Sequence, residues 1–449
     1  MAFIEMEELL MSLESGITRL NAAREKLADS KARERLTKLF DEGTFTELDA
    51  FNDSAEVIIG YGIIEGAPAY AFAQDINVCG GAVGMAQAAK IKKVYDLCVK
   101  TGLPVIGIYD SKGAYLNEGC DALAAYGELM LWSNNISGVV PQISVIAGPC
   151  AGSSALLAAS GDIVIHAKGA IFSLDAQNKE AEKGISHITV DTADEAIKKA
   201  REIITLLPIN NLSDVPISDY AGIGATDFSD AEKIIKSIAD ADNFIELQSD
   251  YGKQAVCGLA RINGQSVVMV ATCGGILDDE ATAKVARLVR LADAFSIPVI
   301  TFVDAEGFDS IRQASKLTHA YAEATCAKLA VITGKAVGSA YIAMAGRAAN
   351  ADYVCAWPDA YVSALPAEAA VAVLWEDKLN ALNNPLDDRQ KVVDEYKATD
   401  ASVFGVAAKG YIEDIIEPEN TRAKLITALD MLASKRISRL AKKHSNIQL

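Results

Sequence analysis

The chain repeats itself, and that repetition restricts the folds open to it more than any other feature. One copy reads Gly66, Gly80-Gly81, Lys90 and then LPVIGIYDSKG from Leu103; the other reads Gly264, Gly274-Gly275, Lys284 and then IPVITFVDAEG from Ile297. Lysine and proline stand 14 residues apart in both copies, proline and aspartate (Asp110, Asp304) 6, and aspartate and glycine (Gly113, Gly307) 3. Three matching intervals mark a duplicated unit, so a functional turn in one half has a counterpart in the other.

Each copy opens on apolar segments, residues 57–72 and 256–271, that read as β-hairpins. A helical stretch follows (85–101, 281–295), then a short buried strand rich in Val and Ile. Such β-β-α units, repeated within each half, predict an α/β fold with helix-covered strands. Further on, GPCAGSSA from Gly148 and GKAVGSAY from Gly334 each follow a β-branched run and lead into an Ala-rich helix, as strand-to-helix turns do. Residues 1–40 carry apolar positions at helical spacing (Leu9, Leu10, Leu13, Ile17, Leu20) and are expected to wrap the first domain. Pro208, Pro216 and the Asn210-Asn211 loop chemistry put the boundary near Ser213, giving domains 1–213 and 214–449.

Two domains suit 449 residues, and 51% apolar with 23% charged residues describes a globular protein rather than a disordered or fibrous one. The net charge of −18 repels nucleic-acid phosphate and anionic membrane, which excludes nucleic acid as the expected partner. An anionic substrate would need local basic residues set against that field. Eight cysteines lie far apart without a CxxC pair or neighbouring histidines, so neither zinc nor disulfides are expected, and no metal is assigned. Glu5, Glu7 and Glu8 interrupt any apolar leader, and a cytoplasmic location is expected. The most span-like segment, 139–159, contains Gln142 and breaks at Pro149, so it reads as strand, turn and helix.

Several motifs together resemble one family. ARERLTKLFDEGTFTELDAF from Ala32, VPQISVIAGPCAGSSA from Val140, GLARINGQSV from Gly258, AFSIPVITFVDAEGF from Ala294, AYAEATCAKLAVITGKAVGSAY from Ala320 and the terminal KKHSNIQL are similar to the carboxyltransferase subunits of biotin-dependent acyl-CoA carboxylases and sodium-pump decarboxylases. The resemblance covers nearly the whole chain. It implies two tandem crotonase-like (ClpP/crotonase) domains, the first on the acyl-CoA side and the second on the biotin side. It also implies carboxyl transfer between carboxybiotin and the α-carbon of an acyl-CoA, through enolates held in two backbone oxyanion holes.

Enolate formation needs preorganised N–H donors, and small residues let substrate oxygen approach them. The resemblance places those donors at Gly113-Ala114, for the thioester carbonyl, and at Ser339-Ala340, for the ureido oxygen of biotin. Gly81, Gly152 and Gly338 read as structural turns whose amides face the pocket, and Ile342 falls where the family shapes the acyl pocket. Because biotin itself takes the α-proton in this family, no side-chain base is required. The competing reading of the small residues is tight strand-to-helix packing. Asp304 and Glu306 could form an acid/base pair, or Asp304 could cap a turn as the repeat of Asp110. Cys150 reads as buried packing rather than a nucleophile.

The chain departs from the family in places. Lys112 replaces a glycine before Gly113-Ala114, and either pairs with an anion of the substrate or is solvated. Gly334 stands where arginine is common, and Ser339 where glycine is common. The segments 308–320 and 174–196, which line the acyl-CoA and biotin entrances, are short. Expected partners are an acyl-CoA, a biotin carboxyl carrier protein and a biotin carboxylase subunit, since the chain carries neither an ATP-grasp region nor an AMKM-like biotinylation site. The alternatives are an α subunit of a methylmalonyl-CoA or glutaconyl-CoA decarboxylase with membrane sodium-pump subunits, and a non-catalytic scaffold. A ring of six subunits is implied, with active sites shared between the first domain of one chain and the second of another.

Overall fold

The computed structural model describes all residues except 1, 28–29, 53, 176–182, 348–350, 383, 438 and 447–449. The last three residues of the terminal motif, and part of the short segment 174–196, therefore lie outside the described residues. The chain divides into two compact units, Met1–Ile204 and Thr205–Leu449.

The first unit begins with helices α1 (Ala2–Lys26) and α2 (Lys31–Leu39), followed by strands β1 (Thr46–Leu48), β2 (Val57–Ile64) and β3 (Ala67–Gln74). Next come α3 (Met85–Thr101), β4 (Val105–Ser111), α4 (Cys120–Ile136), β5 (Gln142–Ala151), α5 (Ser153–Ala159), β6 (Ile163–Ala167), β7 (Phe172–Ser173), β8 (Ile188–Val190) and α6 (Ala193–Ile204). The sheet runs β1-β2-β3-β4-β5-β6-β8, with β7 paired to the end of β5. β2 and β3 form an antiparallel hairpin; from β3 to β8 every pairing is parallel.

The second unit repeats this plan. α7 (Ala231–Ile238) and β9 (Phe244–Glu246) lead to the hairpin β10 (Ala255–Ile262) and β11 (Gln265–Thr272), then β12 (Ile276–Leu277), α8 (Asp279–Ala294), β13 (Val299–Ala305), β14 (Gly307–Phe308) and α9 (Ile311–Glu323). β15 (Lys328–Val337), the short α10 (Gly338–Ala340), β16 (Tyr353–Ala356) and β17 (Tyr361–Ser363) follow. The unit continues with α11 (Ala367–Leu374), α12 (Glu376–Asn380), α13 (Pro385–Ala398), α14 (Val403–Ala408), β18 (Asp414–Ile415) and α15 (Thr421–Leu432). Its sheet runs β18-β16-β15-β13-β11-β10-β9, with β17 on the end of β15 as β7 is on β5.

The repeated residues do the same work in both units. Glu65-Gly66 and Asn263-Gly264 turn the two hairpins with positive φ at both positions, as a two-residue turn matched to strand twist requires. Lys90 and Lys284 are buried in their helices, and their ammonium groups donate to carbonyls before or at the start of the hairpin: Ser54 at 3.0 Å, and Gln248, Tyr251 and Ala255 at 2.9–3.1 Å. Asp110 and Asp304 each sit at a break in strand register, between β4 and β5 and between β13 and β15. A Cβ at Gly148 or Gly334 would lie 2.0 or 2.7 Å from the facing Asp Oδ1, so only glycine lets the next strand pass the carboxylate. An arginine at 334 would collide with Asp304 in this chain.

The first core is built on Phe72, whose ring meets Tyr95 and Tyr109 edge-on at 6.2 and 5.5 Å. The second is built on Met269, Ile300, Phe302 and Val331. A satellite cluster joins α11 and α13 beneath β17 through Val371, Val393 and Tyr396. In the N-terminal segment α2 buries Ala32, Leu36 and Leu39, with Ser30 capping it by accepting the Arg33 N–H. On α1, Leu13 and Ile17 are exposed, so they do not wrap the domain as expected; the side chains of Leu9 and Leu10 lie outside the described residues.

Candidate active site

In the first unit the chain leaves β4 through Ser111 into a turn pinned on both sides. Lys112 N–H donates to Gly80 O at 3.0 Å, and Gly113 N–H donates to Ser111 Oγ at 3.0 Å. Val83 N–H donates to Gly113 O, and Tyr115 N–H to Val83 O. Ala114 is thereby bridged to Val83 while its own N–H has no partner among the described residues. Gly113 has φ of 106°, and a Cβ there would stand 2.9 Å from Ala151 O, so the turn lies directly against the end of β5. There Gly152, with φ of 60°, is fixed by its N–H to Ser173 O and opens α5. The first-turn amides of Ser153 and Ser154 have no intrahelical acceptor, as at any helix start. Gly81 packs beneath, close to the Asp110 carbonyl.

The second unit reproduces the arrangement at Gly307-Phe308 and Gly338-Ser339. Gly307 and Phe308 pair with Ile276 and Leu277, and Asp309 N–H donates to Leu277 O, which puts Phe308 at the register position of Ala114. Gly338, φ 49°, opens α10 against Ala364 O, and Ser339 Oγ is 3.9 Å from the Cβ direction of Gly307. Ser339 and Ala340 therefore present helix-start amides, equivalent to those of Ser153 and Ser154. Ile342 is exposed on the wider π-type turn Tyr341–Ala345 that continues α10.

Gly113-Ala114 and Ser339-Ala340 are thus the two different halves of one design, a strand-end turn in one unit and a helix start in the other. Each unit brings both halves together. The missing members, Ser153 and Gly307-Phe308, are the repeat partners of Ser339 and Gly113-Ala114. The common spacing of Gly148 to Gly152 and Gly334 to Gly338 carries that signal in the sequence.

The carboxylates near these turns are structural. Asp110 is fully buried, bound to Arg35 Nη1 at 2.6 Å with Lys31 at 3.3 Å, while Arg35 Nη2 donates to Ala147 O. Asp304 accepts the Lys335 N–H at 3.0 Å and its own N–H donates to Thr272 Oγ1, so it caps the turn. Glu306 pairs with Lys335 at 2.6 Å, and this hydrogen bond holds the Lys335 ammonium above its ordinary value. Burial pushes the Cys150 thiol up to about 12, which leaves no thiolate at neutral pH. Lys112 is exposed and has no ion pair among the described residues. Among the described residues no three His, Cys, Asp or Glu side chains gather as metal ligands, and no helix is long and apolar enough to cross a membrane.

Known proteins share this architecture along the whole chain. The chain is 36% identical to the methylmalonyl-CoA decarboxylase subunit alpha of Veillonella parvula and 35% identical to the propionyl-CoA carboxylase carboxyltransferase subunit of Haloferax mediterranei, each alignment covering 93% of both chains. A solved structure of transcarboxylase 12S, described as a hexamer assembly with methylmalonyl-coenzyme A and methylmalonic acid bound, superposes with a TM-score of 0.85 at 32% identity over 98% of each chain. The two units are accordingly tandem crotonase-like domains. The model of the carboxyl transferase domain matches residues 26–179 and 173–447, and the chain belongs to that carboxyltransferase family.

Proposed function

We propose that the chain moves a carboxyl group between carboxybiotin, held on a separate carrier protein, and the α-carbon of an acyl-CoA of the propionyl/methylmalonyl type. The observation that carries this reading is the Ala114 amide, without a partner among the described residues in a turn whose neighbouring N–H groups are engaged, and set against the start of α5. Biotin supplies the carboxyl group in one direction and accepts it in the other. In the first unit, the N–H groups of Ala114 and Ser153 hold the thioester oxygen as the α-carbon gains negative charge. In the second, those of Ser339 and Ala340 hold the ureido oxygen. Each such donor, fixed before reaction, is worth about 3 kcal/mol of barrier. Gly81, Gly113 and Gly338 let neighbouring backbone pack closely against the two turns, Gly152 and Gly307 stand beside them, and Ile342 borders the acyl pocket. Buried Asp110 is committed to Arg35 and half-buried Asp304 to the Lys335 amide, so neither carboxylate is given the role of base in this mechanism.

The similarity to a decarboxylase subunit favours a second direction for the same chemistry, release of CO2 from methylmalonyl-CoA in a complex with membrane subunits. In the carboxylation direction a biotin carboxylase subunit is the partner. A hexamer is the assembly we expect, by similarity to the 12S structure, and the eight free cysteines fit a reducing cytoplasm.

Purified chain mixed with free biotin and methylmalonyl-CoA should release CO2 and propionyl-CoA in a biotin-dependent reaction. Ala114→Pro removes the open N–H and should lower the rate about 100- to 1,000-fold. No biotin-dependent turnover across a panel of CoA thioesters would instead identify a scaffold subunit.

A further inference from the structure

The two half-sites share a backbone plan and differ in charge. Lys112 and Glu306 occupy the same place in the repeat, two residues after the strand-end aspartate and one before the positive-φ glycine. In the first unit the Lys112 stem lies across Gly80, its Cδ 3.2 Å from where a Cβ of that glycine would be, and its ammonium is solvent-facing and unpaired among the described residues. In the second unit Glu306 is bound to Lys335 at 2.6 Å, and Lys335 lies in β15 three residues before Gly338. The repeat partner of Lys335 is Pro149. Among the described residues, one turn is therefore rimmed by a positive charge without an ion-pair partner, the other by a closed ion pair.

We propose that this inversion is how the chain tells its two substrates apart. Lys112 draws the anionic thioester to the first unit against the negative field of the protein. Glu306 cancels Lys335, so that the second unit admits an uncharged ureido ring and turns free CoA away. Glu306 is thus a specificity-determining residue that acts by covering a latent anion site. The proposal rests on the half-site assignment made above, and adds to it the residues that enforce it.

CoA binding by the intact chain, measured by calorimetry at low and high salt, tests this without reference to turnover. Wild type should bind one CoA per chain. Lys112→Gln should weaken binding about fivefold and flatten its salt dependence, as expected for loss of one charge near the ligand in water. Glu306→Gln should create a second, weaker CoA site, and the double variant Glu306→Gln/Lys335→Gln should lose it again. Lys335→Met, which opens the same pair from its other side, should create none. Wild-type binding with Glu306→Gln unchanged in stoichiometry, or with Lys112→Gln unchanged in affinity, overturns the charge proposal alone. A wild-type chain that binds no CoA overturns the underlying assignment together with it.

Discussion

At the scale of single residues, the buried charges make the sharpest predictions. Lys328, almost fully buried, donates to the Tyr321 and Ala324 carbonyls, and burial pulls its ammonium down to about 8 from 10.5. Between those values the unfolded chain binds more protons than the folded one, so this residue makes the fold more stable as pH rises from 8 to 10.5. Below 8 the penalty is fully present. The unfolding free energy of wild type relative to Lys328→Met should therefore shift by about 3 kcal/mol in favour of wild type across that window, as read in denaturant titrations at pH 7, 9 and 10.5. Asp110→Asn leaves Arg35 with its charge buried and uncancelled, and should cost about 3–5 kcal/mol of stability in the same assay. The repeat made both aspartates visible in the sequence. What it left hidden was their different partners, because Arg35 arrives from a helix 75 residues away and Asp304 accepts a backbone N–H from the neighbouring strand β15.

At the scale of elements, the turns should behave according to what surrounds them. Gly152 has room for a methyl group, its nearest atom being Leu174 O at 4.0 Å, so Gly152→Ala should carry only the backbone cost of φ 60° with ψ −127°, a conformation outside αL, about 1–3 kcal/mol. At Gly81 a Cβ would sit 2.2 Å from the Asp110 carbonyl, and Gly81→Ala must displace the loop that holds the Lys112 amide. Thermal melting should rank Gly81→Ala below Gly152→Ala, with the carboxyl-transfer rate falling in the same order. Hairpins, α3, α8 and the strand-end turns were legible because apolar periodicity and Asn-Gly or Gly-Gly chemistry are local signals. The pairing of a turn with a helix start was less so: Gly113 meets Ala151 only after a whole helix and strand intervene, and sequence distance hides such contacts. The α11–α13 cluster had no repeat partner to announce it, and α1 shows that helical spacing fixes a helix without fixing what it packs against.

At the scale of the whole molecule, the expected assembly is six chains, and sedimentation should give a species close to six times the chain mass under conditions that preserve biotin-dependent turnover. Fold class and family were readable from the sequence because duplication and motif similarity run through its full length. The electrostatic difference between the copies was half readable: Lys112 stood out as a departure, whereas Glu306 acquired meaning only once Lys335 was seen beside it.

Each unit is a continuous stretch of chain, and among the described residues no strand is lent from one sheet to the other. A ribosome therefore delivers the first sheet complete while about 245 residues remain to be translated, an interval of roughly 12–50 s at ordinary elongation rates. Parallel strands are slow to find their neighbours. Vectorial synthesis gives the earlier sheet time to close before a look-alike set of strands emerges that could pair with it wrongly.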